Sequence, residues 1–180
     1  MTEGAPRSSA SDRFALYDLF VAYGALIDAA EFDAWLALFA VTCTYHIVPR
    51  ENYERGLPAG LVYCDSRAVL EDRIRALREA NKYNIHTDRH LIGLPRLIGE
   101  GGDAKLVEAP FAVYQTDQEG QTRLFATGLY RDRILVEADA SNFATSLFCS
   151  TPSRCQACLP RLYELPASVW VLRRIPVRCA

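Results

Sequence analysis

The sequence predicts an α+β domain, and three observations predict it. Apolar residues recur at three- and four-residue spacing from about residue 13 to 39 and again from Ser66 to Asn81, the signature of amphipathic helices. From Ile85 onward the period changes to two, as a half-buried strand requires. Turn-forming clusters at Gly99–Asp103 and Asp117–Gly120 then cut the second stretch into hairpin-sized pieces. Helices first and antiparallel strands afterwards are segregated rather than alternating, which is the α+β arrangement.

Met1 to Ser11 is small, polar and Pro-containing, so residues 1–12 are expected to form a disordered leader. Ser11 or Asp12 is placed to cap a first helix beginning near Arg13 and ending around Ala29. Phe14, Tyr17, Val21, Gly24 and Ile27, with Phe20 beside them, supply its apolar stripe. Phe32 to Phe39 predicts a short second helix carrying Trp35, Leu36 and Phe39 on one side. Thr42 to Val48, rich in β-branched and aromatic residues, reads as a strand ended by Pro49. Arg50 to Arg55 is a charged excursion closed by Gly56 and Pro58, expected to be a contact-bearing loop. Leu61 to Tyr63 reads as an apolar bridge into a third helix, with Ser66 as N-cap, Leu70, Ile74 and Leu77 on the buried face, and Glu71 paired with Arg75. Strands follow at Ile85–Ile98, Lys105–Thr116 and Thr122–Val136.

Length bounds the domain count. One domain over residues 13–140 accounts for most of 180 residues, and that is enough chain to bury a core without disulfides. Half the residues are apolar, yet no run approaches the ~20 needed to cross a bilayer, so a soluble, cytoplasmic protein with no membrane partner is expected. Met1 to Ala10 has no apolar core of a signal peptide. The net charge of −2 is unevenly spread: residues 141–180 hold five Arg against Glu164, a balance of +4, which leaves −6 on residues 1–140. An acidic body argues against nucleic acid as a partner.

Three constellations carry candidate chemistry. His86, Asp88 and His90 alternate, so one strand face presents all three, inviting comparison with a two-histidine, one-carboxylate iron site. Positions two apart on a flat strand do not converge on one ion, and Thr87 stands where a zinc-protease motif needs Glu. Polar residues at a sheet surface or subunit contact are the expected role. Cys155 and Cys158, with Cys149 and Cys179, offer four thiols, but only one Cys-x-x-Cys hook exists where zinc sites pair two, and no metal is expected. No nucleophile elbow, phosphate loop or dinucleotide fingerprint is present, since Gly99 to Gly102 leads into no helix.

The third constellation follows from a resemblance. Phe39-x-x-x-Cys43-Thr44-Tyr45, Pro49-Arg50-Glu51-Asn52-Tyr53-Glu54-x-Gly56-Leu57-Pro58, Leu70-x-Asp72-Arg73, Arg89-His90-x-Ile92-Gly93-x-Pro95-Arg96 and Gly128-x-Tyr130-Arg131-Asp132 fall in order across roughly residues 14 to 138. In this the chain resembles the small (β) subunit of the aromatic-ring-hydroxylating dioxygenases, nearest the salicylate and anthranilate hydroxylase type. The resemblance implies a cone-shaped, nuclear-transport-factor-2-like (cystatin-like) fold, with helices packed inside a strongly curved antiparallel sheet. It implies a non-catalytic subunit that binds a large (α) oxygenase subunit, usually in an α3β3 hexamer. The Rieske 2Fe-2S cluster and the mononuclear iron would belong to that large subunit, electrons would come from NAD(P)H through other components, and this chain would bind no cofactor. Arg50, Glu51, Tyr53 and Arg89 are the expected interface residues, so that truncating Arg50 and Tyr53 would weaken assembly and spare the fold.

Two alternatives share the cone. In one, Asp28, Tyr17, Tyr45, His86 and His90 line an open cavity, as in stand-alone isomerases and dehydratases in which a carboxylate or carboxylate-oriented His removes a proton beside a carbonyl. Phe14, Phe20, Trp35, Phe39, Phe111 and Phe125 are expected to plug such a cavity. In the other, the cone is a binding module for a different partner.

Residues 141–180 break the pattern. The resemblance implies one more long strand with an ending like Asp-Thr then Val-Pro, whereas Ser150 to Cys158 has no alternation and four prolines (152, 160, 166 and 176) interrupt the tail. Codons TCG ACA CCT TCG CGG TGC CAA GCC TGC for Ser150 to Cys158 would give Asp-Thr-Phe-Ala-Val-Pro-Ser when read two bases later. A frameshift, natural or introduced in sequencing, is therefore the expected origin of the tail, and the gene sequence decides it.

Overall fold

The structure is a computed structural model that describes residues 10–57, 59–79, 85–101, 104–137 and 140–145, with side chains described between 13 and 135 within those spans. Its first element, α1 (Ala10–Asp28), starts inside the expected leader. The helix buries Leu16, Leu19, Phe20, Tyr23 and Ile27, while Phe14, Tyr17 and Val21 are exposed. The predicted stripe is thus rotated: of its members Gly24, Ile27 and Phe20 face the core and the other three do not. Apolar residues surround this helix, and periodicity alone cannot choose between two apolar sides.

Ala30 ends α1 in a left-handed conformation, φ 56°. The Glu31 N–H reaches the Leu26 carbonyl at 2.9 Å and the Ala30 N–H reaches Ile27 at 2.9 Å, the paired bonds of a Schellman closure. Then α2 (Phe32–Ala37) buries Trp35 and Leu36, and Phe39 follows them into the core. The expected strand over Thr42–Val48 is only three residues long, β1 (Tyr45–Ile47), and the expected apolar bridge is its partner, β2 (Val62–Cys64), with Tyr45 opposite Cys64.

Between them the expected loop is a one-turn helix, α3 (Arg50–Glu54). Pro49 precedes its first residue with ψ 144°, and the Tyr53 N–H donates to the Pro49 carbonyl at 3.0 Å. Gly56, φ +64°, closes it with bonds from Gly56 to Tyr53 and from Leu57 to Asn52, the same Schellman geometry as at Ala30 but with the residue suited to it. A polar composition alone predicts a loop, whereas i,i+4 pairing of Arg50 with Glu54 and a preceding proline satisfy a short helix equally well.

Helix α4 (Arg67–Glu79) follows the expected pattern: Leu70, Ile74 and Leu77 are buried and Ser66 Oγ accepts the Val69 N–H at 3.4 Å. Arg75 pairs with Asp72 at 3.0 Å, not with Glu71 as the spacing predicted; an i,i+3 partner is equally near on a helix surface.

The sheet has five strands. β3 (His86–Ile92) and β4 (Arg96–Gly101) replace the single strand expected over Ile85–Ile98, and both pair in tandem with one edge of β5 (Ala104–Asp117). The break between them lies at Gly93, whose N–H donates to the Pro110 carbonyl at 2.7 Å and where an added Cβ would lie 2.8 Å from the Pro110 ring. β6 (Thr122–Glu137) covers the other edge of β5, and β7 (Ala140–Thr145) pairs with the end of β6. At the β5–β6 turn Gly120 takes φ +79° and Asp117 Oδ1 accepts the Gln121 N–H at 2.8 Å. β7 therefore carries the sheet across the boundary expected at residue 140. The remaining tail, with Cys149, Cys155, Cys158 and Cys179, lies outside the described residues.

The core is aromatic. Tyr23, fully buried, lies with its ring 5.6 Å from both Trp35 and Tyr130, and Phe111 stacks on Tyr130 at 4.3 Å. Trp35 in turn contacts Phe39 at 4.7 Å and Tyr45 at 5.5 Å. One layer of rings thus joins α1 and α2 to the inner face of β5 and β6.

Candidate functional site

Alternation decides which residues this sheet shows to the outside. Tyr130 and Asp132 are buried toward α1, so Arg131 between them points to the opposite, outer face. Glu108 stands directly opposite Arg131 across β5 and β6. Its carboxylate, on a residue only 7% exposed, is held by Arg131 Nε at 2.7 Å and by Arg96 Nη2 at 2.7 Å. Tyr53 of α3 completes the group: Arg131 Nη1 donates to the Tyr53 hydroxyl, and the guanidinium lies 5.1 Å from the Tyr53 ring centre. A chain of Tyr53, Arg131, Glu108 and Arg96 therefore fastens α3 onto the outer face of the sheet.

This geometry sorts the four expected interface residues. Arg50 and Glu51 are exposed on α3; Arg50 bonds Glu54 at 2.7 Å with both side chains more than half in solvent, a pair that adds little stability. Arg89 is 72% exposed on β3 and reaches Asp28 at 3.5 Å. Tyr53 differs, because it is half-buried and engaged within its own chain, so truncating it would also remove a contact that holds α3 to the sheet. Of its group, Arg96 and Arg131 stand in the motifs quoted above without an assigned role, and Glu108 is the residue the sequence reading misses. Glu108 had a signal, a lone acid in the run Leu106 to Phe111 that is otherwise free of charge.

The inner face holds the histidines. His86, Asp88 and His90 share one face as predicted, but their side chains are 10%, 6% and 2% exposed, so they are interior groups and not a sheet surface. They separate into two pairs. Asp28, at the end of α1, accepts His90 Nδ1 at 2.6 Å and the His90 backbone N–H at 3.0 Å. His86 lies 3.6 Å from Asp88, which accepts Gln115 Nε2 at 3.3 Å, and Gln115 in turn accepts Arg123 at 2.6 Å. Among the described residues no three or more His, Cys, Asp or Glu side chains are grouped to hold a metal ion.

The cavity constellation separates as well. Tyr17 is 43% exposed on α1, and Tyr45 is buried among Trp35 and Phe39, where loss of solvent pushes its phenol well above the usual range. Phe20, Trp35, Phe39 and Phe111 fill the cone with Phe125 packed against them; Phe14, expected in that plug, is 70% exposed. A narrow crevice remains between α1, α2, β1 and α4, bounded by Ile27, Phe32, Trp35, Leu70 and Ile74 together with Arg73 and Tyr45, the one member of the expected cavity set that lines it.

Asp132 is the anomaly of the interior. It is 3% exposed, neither oxygen has a hydrogen-bond partner among the described residues, and desolvation holds its carboxyl well above the usual carboxylate range. Cys43 and Cys64, free and buried near β1 and β2, have thiols raised by burial, Cys64 to about 11.

Helices held against an antiparallel sheet around an aromatic interior define a cone-fold protein. Residues 24–143 match the model of the ring hydroxylating beta subunit family, and the chain belongs to that family. It is 41% identical to the beta 2 subunit of the terminal oxygenase component of terephthalate 1,2-dioxygenase from Comamonas sp over 114 residues, 62% of this chain and 73% of that one. It is 32% identical to the small subunit of anthranilate 1,2-dioxygenase from Burkholderia cepacia over 81% of this chain and 91% of that one. Among solved structures, the β subunit of a candidate aromatic-ring-hydroxylating dioxygenase from Novosphingobium aromaticivorans superposes with a TM-score of 0.73 at 36% identity, covering 83% of this chain and 94% of the other. The β subunit of benzoate 1,2-dioxygenase from Burkholderia mallei, 17% identical, shares the fold with a TM-score of 0.65 over 82% and 93% of the two chains. This chain is accordingly the small subunit of a ring-hydroxylating dioxygenase that pairs with a large oxygenase subunit.

Proposed function

We propose that the chain is a structural, non-catalytic subunit of a cytoplasmic oxygenase acting on an aromatic acid, and that it holds large subunits together in an α3β3 hexamer. The substrate class follows the named substrates of the relatives, terephthalate and anthranilate. Rieske 2Fe-2S cluster, mononuclear iron and NAD(P)H-derived electrons then belong to the other components. The observation that carries this reading is the interior: where the cone-fold alternative needs an open cavity, Tyr23, Trp35, Phe111 and Tyr130 form a continuous aromatic layer. The single domain is taken as residues 13–140 with β7 added, and the frameshift origin of the remaining tail is a matter for the gene sequence.

Arg50, Glu51 and Arg89 are the proposed contacts to the large subunit, and Tyr53 acts by seating α3 where Arg50 and Glu51 can reach it. Arg residues on a helix held at both ends lose little freedom when bound. Co-expression with the cognate large subunit, followed by sizing, tests this: wild type should co-elute, and Arg50→Ala with Arg89→Ala should reduce the assembled fraction while turnover per assembled complex stays constant. Turnover lost with assembly intact would reverse the conclusion.

A further inference from the structure

The outer face of the five-stranded sheet carries an apolar row near the β5–β6 turn and a group of arginines toward its other end. Arg89 of β3 stands opposite Tyr114 of β5, and Tyr114 stands opposite Leu124 of β6, with Leu91 one pleat further along β3. Leu91 is 54% exposed, Leu124 52% and Tyr114 37%, a row of large apolar groups across three adjacent strands. Isolated exposed apolar residues are ordinary, but contiguous ones on a sheet face mark an interaction surface.

The charge on this face is one-sided. Alternation brings Arg89, Arg96, Arg131 and Arg133 to it, and among the residues whose side chains are described Glu108 is the acid that faces them. Residues 1–140 as a whole carry −6, so these arginines stand out against an acidic remainder. Such segregation steers a partner of opposite sign to one side of the molecule.

We propose that this face docks onto the large oxygenase subunit, at a surface that is apolar opposite the Tyr114 row and carries carboxylates opposite the arginines. The proposal rests on the small-subunit reading above and names its contact surface. A two-fold pairing of this face with itself is disfavoured, because it would set its arginines against one another. Size adds a constraint. The row at Tyr114 and the row at Glu108 are six residues apart on β5, about 20 Å, and three strands span about 10–14 Å. A flat patch of that extent is well below the ~800 Å² per partner of a stable interface. The surface must therefore continue onto α3, which Tyr53 and Arg131 tie to this same face, and onto Leu94 between β3 and β4, which is 76% exposed.

The test is the affinity of the purified chain for its cognate large subunit. Leu124→Glu should weaken binding by about tenfold or more, as placing a charge in the centre of an interface does. Arg89→Gln should weaken it less and flatten its dependence on salt. Val41→Glu, at a more exposed apolar position between α2 and β1, should bind as wild type. Should Leu124→Glu lower the melting point, Leu91→Glu serves in its place. Unaltered binding by both glutamate variants overturns the proposal. So does a wild-type homodimer that Leu124→Glu dissolves while binding to the large subunit persists. Failure of the wild type to bind any large subunit overturns the small-subunit reading itself, and this surface with it.

Discussion

Asp28 closes the free edge of β3 by accepting both the backbone N–H and the ring Nδ1 of His90, at 3.0 and 2.6 Å. β3 is the terminal strand of its sheet, so this N–H faces away from β5 and would otherwise be unpaired. A carboxylate at the end of α1 thereby serves as a ladder partner and pins the helix to the sheet.

Replacing Asp28 with Ala should cost about 3 kcal/mol, since it strands two donors that now bond a charged acceptor. Thermal melting of the isolated chain measures it. Oxygenase turnover per assembled complex should be unchanged; a fall in turnover with normal melting would mean that the pair takes part in chemistry.

The buried, unpartnered Asp132 makes stability depend on pH in an unusual direction. Its folded pKa lies above that of the unfolded chain, so the folded state keeps its proton after the unfolded state has released it, and stability falls as pH rises from about 4 toward the folded pKa. Asp132→Asn should match wild type near pH 4 and exceed it progressively above, by up to about 1.4 kcal/mol per pH unit within that window. Denaturant titrations at pH 4, 6 and 8 give the comparison, and a constant difference would mean that the carboxyl titrates normally.

Glu108 holds two arginines, and through Arg131 it holds Tyr53. Glu108→Ala should destabilise the chain by about 1–3 kcal/mol and expose α3 to cleavage around Arg50 and Arg55. Tyr53→Phe should do much less, about 1 kcal/mol, because the ring remains under the guanidinium. Limited proteolysis with mass mapping distinguishes them.

Ala30 occupies a left-handed position that costs a non-glycine residue about 1–2 kcal/mol. Ala30→Gly should stabilise by about 0.5–1 kcal/mol once the freedom it adds to the unfolded chain is subtracted. Gly56→Ala, at the matching position after α3, should do the reverse; equal and same-signed shifts would contradict the assignment.

Cys43 and Cys64 should resist alkylation at pH 8 in the native protein and react fully in denaturant, because burial both hides them and disfavours the thiolate, with Cys64 raised to about 11. Peptide mapping of labelled protein locates the sites, and rapid native labelling of either would show that the β1–β2 region opens.

Patterns one residue or one turn long were legible in the sequence. The change of period from 3.6 to 2 gave the α+β class, the face of α4 and the Asp117–Gly120 turn, since each depends on local spacing and on residues with strong conformational preferences. The aromatic residues of the plug could be named as well, apart from Phe14. What tertiary structure alone decided was direction and partnership. Which of two apolar sides α1 buries depends on the sheet it meets, so Phe14, Tyr17 and Val21 were misplaced. His90 meets Asp28 across 62 residues and Tyr53 meets Arg131 across 78, and no spacing rule reaches that far. Curvature of the sheet brings such residues together, and it arises from the packing of every strand at once rather than from any one segment.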